Sequence, residues 1–227
     1  MAKKTSKKKT PSKKMRDTMA RGQRIYKQLE KEFPEAKCAL LHDNPFELLI
    51  ATILSAQCTD ERVNMTTPAL FKKYPTPEKM ANAKQEDVEK IIRSCGFYRN
   101  KAKSIRGAAM GIVEDHDGKV PDAMDELLEL PGVARKTANV VLGNAFGINV
   151  GMVVDTHIKR LSYRMGFTSH TDPVKVERDL MQLFPAEQWT MLSHLLIWHG
   201  RRTCSARKPD CDHCPVANDC PQRGVKN

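Results

Sequence analysis

The stretch Leu130-Pro131-Gly132-Val133-Ala134-Arg135-Lys136-Thr137-Ala138 decides how the rest of this 227-residue chain is read. It lies between two segments with helical apolar periodicity. Pro131 stops the first helix, and Gly132 accepts backbone conformations that other residues avoid. The helical pattern resumes at once, so the first N–H groups of the next helix lie beside the turn, where an anion is welcome. One reading is a tight hairpin between two helices that presents backbone donors to a phosphate. The other is an ordinary helix–turn–helix corner.

Outward from this corner, helical spacing dominates. Asn44 caps a helix, Pro45 suits its first position and Glu47 completes a capping-box-like pair. Phe46, Leu49, Ile50, Ile53 and Leu54 then recur as one buried stripe, and Gln57 continues that face where the helix should end. Further helices are expected over 16–33, 60–73, 86–95, 100–115, 122–129, 134–146, 156–165, 173–184 and 186–200. The run Val150 to Val154 has no partner strand and reads as a buried connector. The expected fold class is all-α with short loops.

Lys136 falls in the first turn of the helix after the corner. Most helix lysines are solvated. An amine that attacks carbon must be neutral, and a helix N-terminus with adjacent Arg135 disfavours its ammonium form, so the placement permits a Schiff-base lysine. Asp155 opens Asp155-Thr156-His157-Ile158 and suits a helix N-cap. Facing a cleft, the same carboxylate could stabilise a developing cation or accept a proton. The turn Gly96-Phe97-Tyr98-Arg99-Asn100-Lys101 sets aromatics beside cations. There the residues alone favour a core anchor at Phe97 over a wedge between bases.

Cys204, Cys211, Cys214 and Cys220 follow a C-x6-C-x2-C-x5-C pattern, with Arg201, Arg202, Arg207 and Lys208 around them. Four thiols this close can surround one metal centre and staple a loop too short to bury a core. Zinc sites usually pair two short hooks, and only Cys211 and Cys214 form one. An iron–sulfur cluster tolerates wider loops and is modestly favoured. An odd total of seven cysteines, with nothing resembling a signal peptide, argues against disulfides.

The formal net charge is +11, and residues 1–16 hold eight of the 38 lysines and arginines. That lysine-rich start is expected to be disordered. It reads as a non-specific nucleic-acid arm, a nuclear address or a solubilising tail. No apolar stretch approaches a membrane span.

Taken together, Leu54-Ser55-Ala56-Gln57, the corner from Leu130 to Ala138, Val154-Asp155-Thr156-His157 and the spaced cysteines resemble the helix-hairpin-helix DNA glycosylases. The likeness is to their iron–sulfur branch, typified by bacterial endonuclease III, and runs from about Phe46 to Cys220. The resemblance implies two helical domains with DNA across the cleft between them. A six-helix barrel with the hairpin would occupy residues 38–148. A [4Fe–4S] domain, ligated by Cys204, Cys211, Cys214 and Cys220, would join 17–37 to 149–227, behind a disordered tail at 1–16. Lys136 would be the catalytic lysine and Asp155 the catalytic aspartate. Gln57 would fill the gap left by a flipped nucleotide, the Phe97 turn would be the wedge, and Gly132, Ala134, Arg135 and Arg201 would contact DNA. The implied activity is removal of oxidised pyrimidines with β-elimination at abasic sites in double-stranded DNA. A monomer in the bacterial cytoplasm is expected, or a nuclear protein if the source is eukaryotic. A monofunctional glycosylase and a non-catalytic DNA-binding module are the rivals. Three departures stand out. Ala134 replaces the hairpin's second glycine, Phe97 replaces leucine and Cys95 replaces isoleucine. Thr52 stands where adenine-removing relatives carry glutamate.

Overall fold

The computed structural model describes residues 11–225, and every regular element among them is helical. Residues 1–10 of the expected tail lie outside the described residues. The rest of that span is not disordered. Ser12 accepts the Met15 N–H at 3.2 Å and opens helix α1 (Lys13–Glu32), which therefore starts three residues before the expected position.

Helix α2 (Pro45–Leu54) starts as its residues dictate. Asn44 Oδ1 accepts the Glu47 N–H at 3.0 Å, and Glu47 reaches back to the Asp43 N–H at 2.8 Å. Helix α3 (Asp60–Lys73) follows its Thr59 cap. Helix α4 (Pro77–Ala81) was not expected, because five residues are too few to show a periodic stripe. Its start is nonetheless written in the chain: Thr76 accepts the Lys79 N–H, and Pro77 sits at the first position.

Helix α5 (Gln85–Ile92) tightens into a 3-10 turn at Arg93–Cys95, then come α6 (Tyr98–Asp115), α7 (Met124–Glu129) and α8 (Arg135–Val141). The last widens into a π turn at Leu142–Phe146. The expected single helices 86–95 and 134–146 thus change pitch near their ends. The chain closes with α9 (Thr156–Arg164), α10 (Pro173–Leu183) and α11 (Trp189–Arg202). Residues 150–154 form no strand, in line with a connector.

The described residues divide into two compact units. One comprises Lys37–Val153 with Trp189–His194. The other comprises the chain up to Ala36, Val154–Gln188 and the chain from Leu195. In the first unit α2 packs against α3, α6 and α8. It is buried on every face rather than along one stripe, with eight of its ten residues inside. Leu48, Leu49, Ile50 and Leu54 are fully buried, each contributing roughly 1.5–3 kcal/mol. In the second unit α1 buries Ile25 and Leu29 and runs beside α10. Gly22 permits the approach, since a Cβ there would lie 3.0 Å from the Phe184 ring.

Candidate functional site

Helix α6 shapes the corner between α7 and α8. Ser104, Gly107 and Gly111 recur along one face of α6, and the turn sits against them. A Cβ on Gly107 would come within 3.1 Å of the Pro131 ring, and one on Gly111 within 2.9 Å of Leu130 Cδ2. Gly132 itself has φ +80°, and a Cβ there would lie 2.7 Å from that of Ser104. Conformation and space both demand glycine. Ala134 has an ordinary extended backbone, φ −101° and ψ 167°, so alanine is accommodated where a second glycine was expected. Its methyl cannot accept a first-turn N–H, and no side chain caps α8. Gly132, Ala134, Arg135 and Lys136 are all exposed.

Three residues of this unit stand in left-handed backbone although none is glycine, Asp117 at φ +49° after α6 among them. Gln57 has φ +53° just beyond α2, and Phe97 has φ +45° at the start of α6. Such conformations cost about 1–3 kcal/mol and persist only where surrounding contacts impose them. Phe97 is 66% exposed, so it is not the core anchor that its residue type favoured. The anchor beneath it is Lys101, only 6% exposed. Lys101 Nζ donates to the Cys95 carbonyl at 2.7 Å, and its N–H donates to the Phe97 carbonyl at 3.0 Å. Thr52 is buried with its hydroxyl donating to the Leu48 carbonyl at 2.7 Å, which leaves no carboxylate at that point of α2.

Asp155 belongs to the second unit and is the N-cap of α9, accepting the Ile158 N–H at 2.7 Å. One carboxylate oxygen is thereby occupied with a local role. Lys136 belongs to the first unit.

Cys204, Cys211, Cys214 and Cys220 line one small cavity together with Arg164, His199 and Val216. Burial pushes the Cys214 thiol up to about 11, and the neighbouring Cys204, Cys220 and Cys211 push the same way. As bare thiolates the four would repel one another, so the site calls for positive charge at its centre. Arg164 is buried and closes one side. Its Nη1 donates to Cys204 Sγ at 3.3 Å and to the Ser205 carbonyl at 2.7 Å, and its Nη2 to the Ala206 carbonyl at 2.8 Å. Arg160 Nη2 donates to the carbonyls of Gly200 and Cys204 at 2.9 and 3.0 Å. His199 Nε2 lies 3.6 Å from Cys214 Sγ, and burial pushes this imidazole down to about 4. From α1, Arg21 donates to the carbonyls of Met165 and Asp219, and Arg24 pairs with Asp219 at 2.6 Å. Arg201 and Arg202 are exposed at the end of α11.

Residues 50–186 match the family model described as HhH-GPD superfamily base excision DNA repair protein. Residues 204–220 match the iron–sulfur binding domain of endonuclease III. Endonuclease III of Synechocystis sp. is 55% identical over 92% of this chain and 95% of its own length. That of Bacillus subtilis is 48% identical over 83% and 86%. The chain belongs to the endonuclease III family. A non-covalent endonuclease III–DNA complex superimposes with a TM-score of 0.84 at 44% identity, covering 90% of this chain and 95% of that one. A trapped endonuclease III–DNA covalent intermediate gives the same TM-score and identity over 90% and 96%. A thermostable thymine-DNA glycosylase shares the fold, with a TM-score of 0.81 at 22% identity.

As a member of the endonuclease III family, the chain is a base excision DNA glycosylase with associated lyase activity, and its cofactor is a [4Fe–4S] cluster. The cysteine loop fits that group. Four thiols line one cavity. Their C-x6-C-x2-C-x5-C spacing holds only one short hook, which suits a multi-atom cluster better than zinc. Once bound, the cluster supplies the charge and the covalent ties that hold the basic loop in shape. Arg21, Arg160, Arg164 and His199 were not singled out from sequence, because an arginine inside a helix carries no mark of the loop it will reach.

Proposed function

We propose that this endonuclease III-family enzyme removes oxidised pyrimidines from double-stranded DNA and cleaves the abasic site that remains, using Lys136 as nucleophile. The observation that carries the reading is the exposed amine of Lys136 in the first turn of α8, one turn after the glycine-bound hairpin. Backbone N–H groups at Gly132 and Ala134 take a DNA phosphate and set the register. Gln57 fills the space left by a flipped nucleotide, and Phe97 wedges beside it. Their imposed left-handed backbones support both roles, since strain held by the fold collects at working positions.

Lys136 Nζ attacks C1′ of the damaged nucleotide, and the base departs with the bonding electrons. Asp155 stabilises positive charge building on the sugar and takes the proton from the attacking amine. The resulting imine acidifies C2′, and elimination breaks the C3′–oxygen bond. Arg201 and the basic residues of the cysteine loop grip phosphate. The enzyme acts as a monomer on chromosomal DNA in the bacterial cytoplasm. Among the described residues no helix is long and apolar enough to cross a membrane.

Borohydride trapping on a panel of duplexes tests the reading. Adducts should form with oxidised-pyrimidine and abasic duplexes and not with undamaged ones. Trapping confined to duplexes carrying oxidised purines would refute the substrate assignment.

A further inference from the structure

His199 meets the cysteine loop twice. Its carbonyl accepts the Thr203 N–H at 3.0 Å and the Cys204 N–H at 2.8 Å, where α11 ends. Its ring lines the cavity shared by the four thiols, with Nε2 3.6 Å from Cys214 Sγ. The residue is fully buried, and the Phe33 ring of α1 lies 6.1 Å from its own. Nδ1 is buried and has no hydrogen-bond partner among the described residues. That orphan atom decides where the ring proton sits. A proton on Nδ1 would leave a buried N–H unpaired, which is costly, and would turn the Nε2 lone pair towards the sulfur. A proton on Nε2 points an N–H at Cys214 instead. A free Cys214 thiol could itself donate to the ring. A cysteine that ligates iron is a thiolate with no S–H and can only accept. With the cluster in place, the contact is therefore Nε2–H to thiolate sulfur.

We propose that His199 is a positioning residue for the cluster, whose Nε2–H bond to Cys214 Sγ raises the cluster's reduction potential and protects it from oxidants. A donor at a ligand sulfur draws off part of its negative charge. The cluster with one electron more carries the greater negative charge, so the bond stabilises that form more. The step affected is the passage of one electron from the cluster to an oxidant such as ferricyanide, which becomes ferrocyanide. Without the bond the cluster gives up that electron more readily. Arg164 supplies a donor of the same kind to Cys204 Sγ at 3.3 Å. The inference uses the cofactor of the family and does not depend on the role of Lys136.

The experiment compares parental holo-protein with His199→Leu and His199→Gln. Voltammetry gives the midpoint potential of the cluster, and visible absorbance gives the rate at which ferricyanide oxidises it. Iron and sulfide are measured on the same samples. His199→Leu offers no donor and should show a lower midpoint and several-fold faster oxidation. His199→Gln sets an amide N–H near the place of Nε2 and should return both quantities most of the way to the parental values. A His199→Leu midpoint equal to or above the parental one would overturn the proposal. So would a His199→Gln midpoint no closer to the parental value than that of His199→Leu. If His199→Leu does not retain its iron, the parental holo-protein labelled with 15N-histidine decides the matter. Its spectrum should place the His199 ring proton on Nε2, and a proton on Nδ1 would overturn the proposal.

Discussion

Gly132 carries two constraints at one position, a left-handed backbone and a gap too narrow for a methyl group. Gly132→Ala should therefore cost about 1–3 kcal/mol in urea unfolding and weaken duplex binding, because the corner must move off α6. A variant as stable as the parent would show that the corner is not pinned there. His194 offers a test of burial in the same unit. Its Nε2–H donates to Asn144 Oδ1 at 2.7 Å, and burial pushes its imidazole from the ordinary 6.5 down to about 4. The unfolded chain thus takes the proton first. The stability that neutral His194 contributes is complete above about pH 6.5 and is lost as pH falls towards 4, by about 3 kcal/mol. His194→Gln should remove one proton from the pH slope of stability in that window, and an unchanged slope would contradict the burial argument. At this scale the sequence was uneven as a guide. The cap at Asp155 follows from residue type, and the exposed place of Lys136 in the first turn of α8 follows from its position after the corner. Phe97 misled, since an aromatic beside glycine is more often inside than out, and a lysine four residues later took the buried place.

At the scale of elements, helix starts were legible wherever a capping residue and proline stood together, as at Asn44-Pro45. Changes of pitch were not, because the 3-10 turn at Arg93–Cys95 and the π turn at Leu142–Phe146 depend on what packs against them. The stripe Ser104, Gly107 and Gly111 went unnoticed for a related reason. Small residues in a helix acquire meaning only when the partner pressed against them is known. The cysteine loop shows the same division. Its four cysteines are read from spacing, whereas the place of Arg164 beside them is found only in three dimensions. Arg164→Met would strip one side of the loop of three hydrogen bonds from a charged donor, each worth about 1.5–3 kcal/mol. The variant should lose iron to a chelator several-fold faster and bind duplex less tightly, while still forming a borohydride adduct at saturating protein. Iron loss at the parental rate would mean that the four cysteines hold the loop unaided.

At the scale of the molecule, positive charge and chemistry are separable. Residues 1–10 contain five lysines and lie outside the family match at 50–186. If they act as a non-specific arm, deleting them should weaken binding to every duplex alike. The log–log salt slope should fall by roughly 0.9 for each lost phosphate contact, with lesion preference intact. An unchanged slope would assign the tail another purpose. The all-α class and the placing of most helices were open to reading because helical periodicity runs almost unbroken from Ser12 to Arg202. The division into 38–148 and a domain joining 17–37 to 149–227 came from the family resemblance alone, since periodicity says nothing about which helices meet. The central claim is that one amine of this fold, on Lys136, becomes bonded to the sugar. Mass mapping of the borohydride-reduced adduct with an abasic duplex tests it most directly. The account predicts the nucleotide remnant on Lys136, and no adduct with Lys136→Gln despite near-parental binding. A remnant on Lys101, or on any other amine, would contradict it.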